Sequence, residues 1–196
     1  MANERRTNRD RILDSGLELF NQNGTVAVTT NHIAKHLEIS PGNLYFHFRN
    51  KEEILRQLFE YMCTETYALF PSRKNEIHMP TPEGLIESAF EVFFKYRCFH
   101  REMYHLRRND PKLSAVWKKH LSKTNRLLLA AYAQWVRHGL MRSARRSDEM
   151  KFIADTVLIT SNAFLNFYES PEKPARKASL RQGVEYTLRI LEPYRA

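Results

Sequence analysis

Between Thr29 and Lys51 the chain carries polar tips at close intervals: Thr29 and Thr30, then Asn43, Tyr45 and His47, then Lys51, with Gly42 and Phe46 among them. Hydroxyl, imidazole, carboxamide and ammonium groups crowded into one short stretch suit the recognition of phosphates and base edges. Bond-making chemistry has no comparable candidate. There is no glycine-rich phosphate loop, no His-Glu-x-x-His, no Cys-x-x-Cys and no Gly-x-Ser-x-Gly. His32 and His36 have the four-residue spacing of a helical metal pair, but no carboxylate or cysteine is placed to complete a site, so no metal is expected. His100 and His105 share no helical face. Cys63 and Cys98 read as buried packing thiols rather than redox sensors. No catalytic residue and no cofactor is expected.

The elements that would hold these tips are short helices with legible starts. Thr29 or Thr30 caps a helix whose Ile33, Ala34 and Leu37 fall on one buried stripe. Ser40 caps a second with Pro41 at its first position, where the missing N–H is not needed and the fixed φ is already helical. On that helix Leu44 and Phe48, four apart, face a core while Asn43, Tyr45 and His47 point elsewhere. Asn50 with Glu53 opens the next helix and places Lys51 beside the end of the second. The pattern is that of a helix-turn-helix.

The string Pro-Gly-Asn-Leu-Tyr-Phe-His-Phe-Arg-Asn-Lys-Glu-Glu-Ile-Leu, Pro41 to Leu55, resembles the recognition-helix segment of the TetR/AcrR family of bacterial transcription regulators. Arg11 to Gly24 looks like the first helix of that family, and Thr29-Thr30 with Ile33-Ala34 like its second. The likeness is specific from about Arg9 to Leu58 and looser beyond, although Tyr96 to Leu113, with Arg101-Glu102 and Asp110-Pro111, looks like one branch of the family's C-terminal domains. The resemblance implies a dimeric, ligand-responsive repressor of a near-palindromic operator in double-stranded DNA. It puts Tyr45, His47, Lys51 and Thr30 on the phosphate side. Gly42 and Asn43 lie nearest the bases, Gly42 because it lets the backbone approach and Asn43 because its amide pairs with adenine. Phe46 contacts a thymine methyl or packs. Arg5, Arg6 and Arg9 form an N-terminal arm. The competing reading is a helical small-molecule-binding or catalytic bundle whose helix-turn-helix is incidental.

At 196 residues the chain is long enough for a proper core. Two cysteines imply no disulfide framework. The beginning lacks a signal-peptide pattern and no apolar run is long enough for a bilayer, so a cytoplasmic protein without membrane contact is expected. No period-two alternation is sustained and the fold should be all-α, with about nine helices. Residues 1–52 would form the three-helix reading domain and 53–196 a helical effector-binding and dimerisation domain. Helix one runs from a cap at Thr7 to Asn23, stopped by Gly24. Helix four starts at Lys51 and ends by Pro71, and residues 71–82 make a hinge-like loop. Thr81-Pro82 opens an apolar helix followed by a turn or short helix to about Arg107. Asp110-Pro111 starts a long helix closed by Gly139. Ser147-Asp148-Glu149 caps one reaching Tyr168, and the last spans Ala175 to Leu191 after Pro171 and Pro174.

The net charge is +9, but residues 1–50 hold six basic against five acidic residues, whereas residues 95–151 hold fifteen against four. Most of the excess therefore lies outside the reading head, as a solvated face or as an entrance for an anionic effector. Phe90, Phe93, Phe94, Tyr104, Trp117 and Trp135 belong to an aromatic middle that would supply a small-molecule site as readily as a core. With the basic excess beside it, an anionic amphipath is the first expectation for the effector and a neutral hydrophobic compound the second. Ile153, Val157 and Phe164, with Leu180, Val184 and Leu188, offer more apolar surface than two edge helices can hide, which predicts a homodimer through a four-helix interface.

Overall fold

The structure, a computed structural model, describes residues 7–70, 80–146, 148–168 and 177–196. Its helices are α1 (Asn8–Asn23), α2 (Thr30–His36), α3 (Pro41–His47), α4 (Lys51–Ala68), α5 (Pro82–Lys95), α6 (Arg97–Asn109), α7 (Pro111–Arg137), α8 (Glu149–Tyr168) and α9 (Lys177–Leu191). No strand occurs among the described residues. An isolated bridge between Met141 and Arg195 ties the tail to the α7–α8 connection. Among the described residues no helix is long and apolar enough to cross a membrane.

Most helix starts are set by a side chain close in sequence. Thr7 and Asp10 form a reciprocal capping box on α1. Thr29 rather than Thr30 caps α2, accepting from the His32 N–H at 3.2 Å. The Ser40 hydroxyl accepts from the Asn43 N–H at 3.2 Å, and the Asn50 carboxamide from the Glu53 N–H at 2.9 Å. Glu53 in turn reaches back to the N–H of Arg49, 2.8 Å away. Thr81 caps α5, and Asp110 caps α7 by accepting from Lys112 and Leu113. The expected loop over 71–79, the cap at Ser147, the break at Pro171 and Pro174, the helix start at Ala175 and the arm at Arg5 and Arg6 lie outside the described residues.

One element is longer than the sequence suggested. The turn or short helix expected after α5 is α6, thirteen residues long, and its N-cap Tyr96 makes no side-chain cap bond. The cap comes from α1 instead. Asn21 accepts from the Cys98 N–H at 3.0 Å through its oxygen and donates to the Lys95 carbonyl at 2.8 Å through its nitrogen.

Buried side chains fall into two apolar clusters. The first joins Ile12 and Phe20 of α1, Ile33 of α2, Leu44 of α3 and neighbouring Phe48 to Phe59 and Met62 of α4, Phe99 of α6 and Leu113 of α7. It runs without a break through the domain border expected at residue 52. The second gathers Leu85, Phe90 and Phe93 of α5, Leu128 and Trp135 of α7, Ile153 and Phe164 of α8, and Leu191 of α9. Here α9 comes so close to α5 that a Cβ on Gly183 would collide with the ring of Phe90.

Candidate nucleic-acid interface

In the head, Leu44 and Phe48 are buried while Pro41, Gly42, Asn43, Tyr45 and Phe46 are exposed, so α3 presents one face of its two turns outward. Phe46 is 86% exposed, far more than packing would leave it, and stands edge-on to the half-buried His47 ring at 5.1 Å. The hydroxyls of Thr30 and Tyr45 lie 3.0 Å apart, which joins the first turn of α2 to α3 in one polar patch. Thr29 is exposed beside them. Glu38, in the turn between the two helices, has φ 56° and so occupies the left-handed region without being glycine. Lys51 Nζ donates to the Thr25 carbonyl at 2.7 Å and thereby holds the α1–α2 turn.

The head is clasped by α6. The Arg101 guanidinium donates to the carbonyls of Phe20 and Asn21, at 3.4 and 2.7 Å, where the end of α1 leaves acceptors free. Glu102 accepts from the Thr25 N–H, at 3.0 and 3.1 Å, and from the Thr25 hydroxyl. Gly24 carries φ 80°, and a Cβ there would meet the Glu102 carboxylate at 3.0 Å. A second tie runs from Arg56 of α4 to Asp110, 2.6 Å apart. The cap bonds to Asp110 and the Arg56 charge hold its carboxyl below the usual range, against the burial that would raise it. Any displacement of α6 or of the start of α7 therefore reaches α1, the α1–α2 turn and α4 through hydrogen bonds, and α3 through the apolar cluster they share.

These features meet their counterparts in known proteins. Residues 12–58 match the model of the bacterial regulatory proteins of the tetR family, and residues 58–196 match that of a TetR bacterial transcriptional repressor. The chain belongs to the TetR family. It is 28% identical to the transcriptional regulator UidR of Escherichia coli over 94% of this chain and 92% of that one. To IcaR, the negative transcriptional regulator of a biofilm operon in Staphylococcus epidermidis, it is 29% identical over 61% of this chain and 64% of IcaR. The crystal structure of a TetR-family regulator from Marinobacter aquaeolei superposes with a TM-score of 0.86 at 32% identity, covering 97% of this chain and 92% of that one. The chain is thus a ligand-responsive, DNA-binding transcriptional repressor, and these relatives are regulators rather than enzymes.

Within this TetR-family frame, the aromatic residues singled out from sequence do not form one group. Phe90, Phe93 and Trp135 lie in the second cluster, and Trp135 donates its indole N–H to the Pro80 carbonyl at 2.8 Å. Trp117 packs on the first cluster. Phe94 is half-buried under the Arg97 guanidinium. Tyr104 is 74% exposed on α6, beside an open groove of about 570 Å³ with Val26 and Arg101. A cavity of about 260 Å³ between the head and the α6–α7 junction is lined by Thr25, Lys51, Glu52, His105 and Asp110 among others. The side chains of Lys51 and Asp110 already have partners there.

The residues expected at a dimer interface are displaced in a similar way. Ile153, Val157 and Phe164 are buried within the chain, and Leu180, Val184 and Leu188 are half-buried against them. The outward face of α8 carries Phe152, Ile159 and Phe167, exposed by 61%, 69% and 82%. Tyr186 of α9 is also exposed. Both faces of α8 are apolar, and the sequence period selected the inner one. His100 of α6, weighed in the sequence only as a metal ligand, is buried, as are His120 and Thr124 of α7 and Ser161 of α8, which sequence reasoning passed over. Each is a single polar residue on a largely apolar stripe, and His100 and His120 are brought near one another by the packing of α6 on α7. Cys63 and Cys98 are free and buried, and burial pushes both thiols up to about 12, so neither is a thiolate.

Proposed function

We propose that the chain represses transcription as a homodimer on a near-palindromic operator in double-stranded DNA, one α3 entering each of two successive major grooves, and that a small effector in the C-terminal helices releases it. The observation that carries this reading is the outward face of α3, where Gly42, Asn43, Tyr45 and Phe46 stand exposed beside the Thr30 hydroxyl. Asn43 reads an adenine edge with Gly42 admitting the backbone. Tyr45, Thr30 and His47 anchor phosphates, and Lys51 joins them with the N–H groups that Thr25 does not use. Phe46, too exposed for a packing role, meets a thymine methyl. The dimer forms through the outer face of α8, Phe152, Ile159 and Phe167, with Tyr186 of α9.

For the effector, an anionic amphipath stands first and a neutral hydrophobic compound second. Most of the basic excess is exposed, at Lys95, Arg108, Lys112, Lys118, Lys119, Lys123, Arg126 and Arg137, but Arg97 and Arg107 are half-buried over the Phe94 and Trp117 rings. Footprinting on DNA upstream of the gene, with sedimentation at micromolar concentration, tests the DNA and dimer parts together. A two-fold symmetric footprint from a dimer is expected. A monomer that protects a palindrome would overturn the dimer geometry, and a dimer that protects no preferred site would overturn the operator reading.

A further inference from the structure

The long helix α7 carries charge of one sign. From Pro111 to Arg146 the chain has no Asp or Glu, while α7 itself holds Lys112, Lys118, Lys119, Lys123, Arg126 and Arg137. At 3.6 residues per turn, Lys112, Lys119, Lys123 and Arg126 fall within a sector of about 60° and form one row about 21 Å long, with Lys118 at its edge. All five are exposed, and so are Ala115 and Ser122 between them. Arg108, four residues before Lys112, is exposed as well.

The fold does not account for this row. Elsewhere surface cations are matched: Lys95 to Glu65, Lys151 to Asp155, Arg189 to Glu185 and Arg195 to Glu83. Among the described residues no ion pair involves Arg108, Lys112, Lys118, Lys119 or Arg126, and Lys123 rests on the Tyr67 ring at 3.7 Å. Lys112 lies in the first turn of α7, where the helix dipole favours an acid over a cation. Lys119 and Lys123, four apart, and Lys123 and Arg126, three apart, repel one another. A polyanion that neutralises the whole row at once relieves both penalties.

Position and texture choose the polyanion. The row starts at the head: Leu113 is buried in one cluster with Leu44 of α3, and Asn109 and Leu113 line the same cavity of about 260 Å³ as Lys51, a member of the phosphate-side group. From there α7 runs alongside α4, with Asp110 against Arg56 and Lys123 against Tyr67, and so leads away from the head. No aromatic or long aliphatic side chain is exposed in the row to enter a bilayer, and Ala115 and Ser122 let a smooth backbone come close. We propose that the outer face of α7 is a second, sequence-independent DNA-contacting surface, which takes the phosphates of the duplex flanking the operator and holds that flank bent toward the body of the repressor. The inference rests on the reading of the chain as an operator-binding dimer and adds to it the length of duplex covered. The row matches about six base pairs at about 3.4 Å each. Bending has a cost that depends on the sequence bent, so the flank influences affinity without any base contact.

The test varies DNA length. Affinity for the footprinted operator alone, and for the same operator with about fifteen further base pairs on each side, is measured across salt concentrations for the parent, K112Q/K119Q/R126Q and K112R/K119R. The longer duplex should bind the parent roughly tenfold or more tighter at low salt, with a salt dependence steeper by about 0.9 for each phosphate engaged. The glutamine variant should bind both duplexes as the parent binds the short one, with an unchanged or raised thermal midpoint, and the arginine variant should behave as the parent. Circularly permuted duplexes should show a bend that the glutamine variant lacks. Equal binding of both duplexes by the parent, a straight bound duplex, a glutamine variant weakened on both alike, or a loss shared by the arginine variant would each overturn the proposal. So would glutamine-sensitive binding to phosphatidylglycerol vesicles without any effect of the flanks. A random duplex of about fifty base pairs separates this surface from the reading head. A parent that binds it through the row and prefers no site would support the row while overturning the operator reading, and a footprinted operator to which flanks add nothing would do the reverse.

Discussion

The head and the C-terminal half are both helical and both cap their helices locally, but they bury polar side chains to different extents. In the head, Thr7, Thr29, Ser40 and Asn50 each satisfy backbone N–H groups at the start of their own helix, three residues or fewer away, and Ser15 of α1 is buried mid-helix. In the C-terminal half, His100, His120 and Thr124 are buried mid-helix, where no backbone donor needs them. Capping residues set where each helix of the head begins. Mid-helix polar residues in an apolar interior weaken packing unless they are paired.

The largest expected effect probes the two buried histidines through pH. Both imidazoles have folded-state values near 4, below the ordinary 6.5, so above pH 6.5 each is neutral folded or unfolded and stability is full. As the pH falls below 6.5 the unfolded chain binds protons that the folded chain does not, and stability is lost down to about pH 4. Each histidine contributes a slope of up to about 1.4 kcal/mol per pH unit. Urea denaturation between pH 7 and 4.5 should show this slope, and H100F/H120F should flatten it. An unchanged slope in that variant would mean that the two histidines are not what makes the protein acid-sensitive.

Next in size is the tie between the halves. Asp110→Ala removes both the Arg56 ion pair and the cap of α7, with an expected loss of about 2–4 kcal/mol in chemical denaturation. If Arg56→Met combined with Asp110→Asn recovers most of it, the pair orients the head more than it stabilises it. Asn43→Ala should cost roughly 1–3 kcal/mol of operator affinity and little on random DNA, whereas Tyr45→Phe should weaken both alike. Equal losses on both DNAs for Asn43→Ala would move it to the phosphate side. The smallest effect is a gain. Glu38→Gly removes a side chain from the left-handed region and should stabilise the head by about 1 kcal/mol, read as a higher thermal midpoint.

The same contrast explains what could be read in advance. The caps of α1, α3, α4, α5 and α7 follow from residues within a turn of where they act, and so do the outward positions of Asn43 and Tyr45; the exposure of Phe46 does not, and His47, expected outward, is half-buried. The full length of α6 does not, because its first turn is capped by Asn21, 77 residues from Cys98. Choosing between Ile153 and Phe152 on α8 was equally beyond a periodicity argument, since both flanks of that helix are apolar and only the position of α5 and α9 decides which is inside. His100 and His120 lie twenty residues apart on different helices and acquire meaning only when α4 and α8 close over them. Net charge, summed along the chain, could not tell that the lysines of α7 face water.

The Asn21 side chain has a consequence for the order in which the protein is made. A helix whose starting donor is satisfied by a residue from another element has no complete first turn until that element is in place. The N-terminal helices leave the ribosome first, and Phe99 of α6 and Leu113 of α7 complete the cluster that Ile12, Phe20, Ile33 and Leu44 begin. Asn21, at the end of α1, precedes Cys98 in synthesis and is the group on which the first turn of α6 is completed. The DNA-reading domain is thus also the surface on which the effector half is assembled, and a chain synthesised without it would enter folding with the start of α6 unsatisfied.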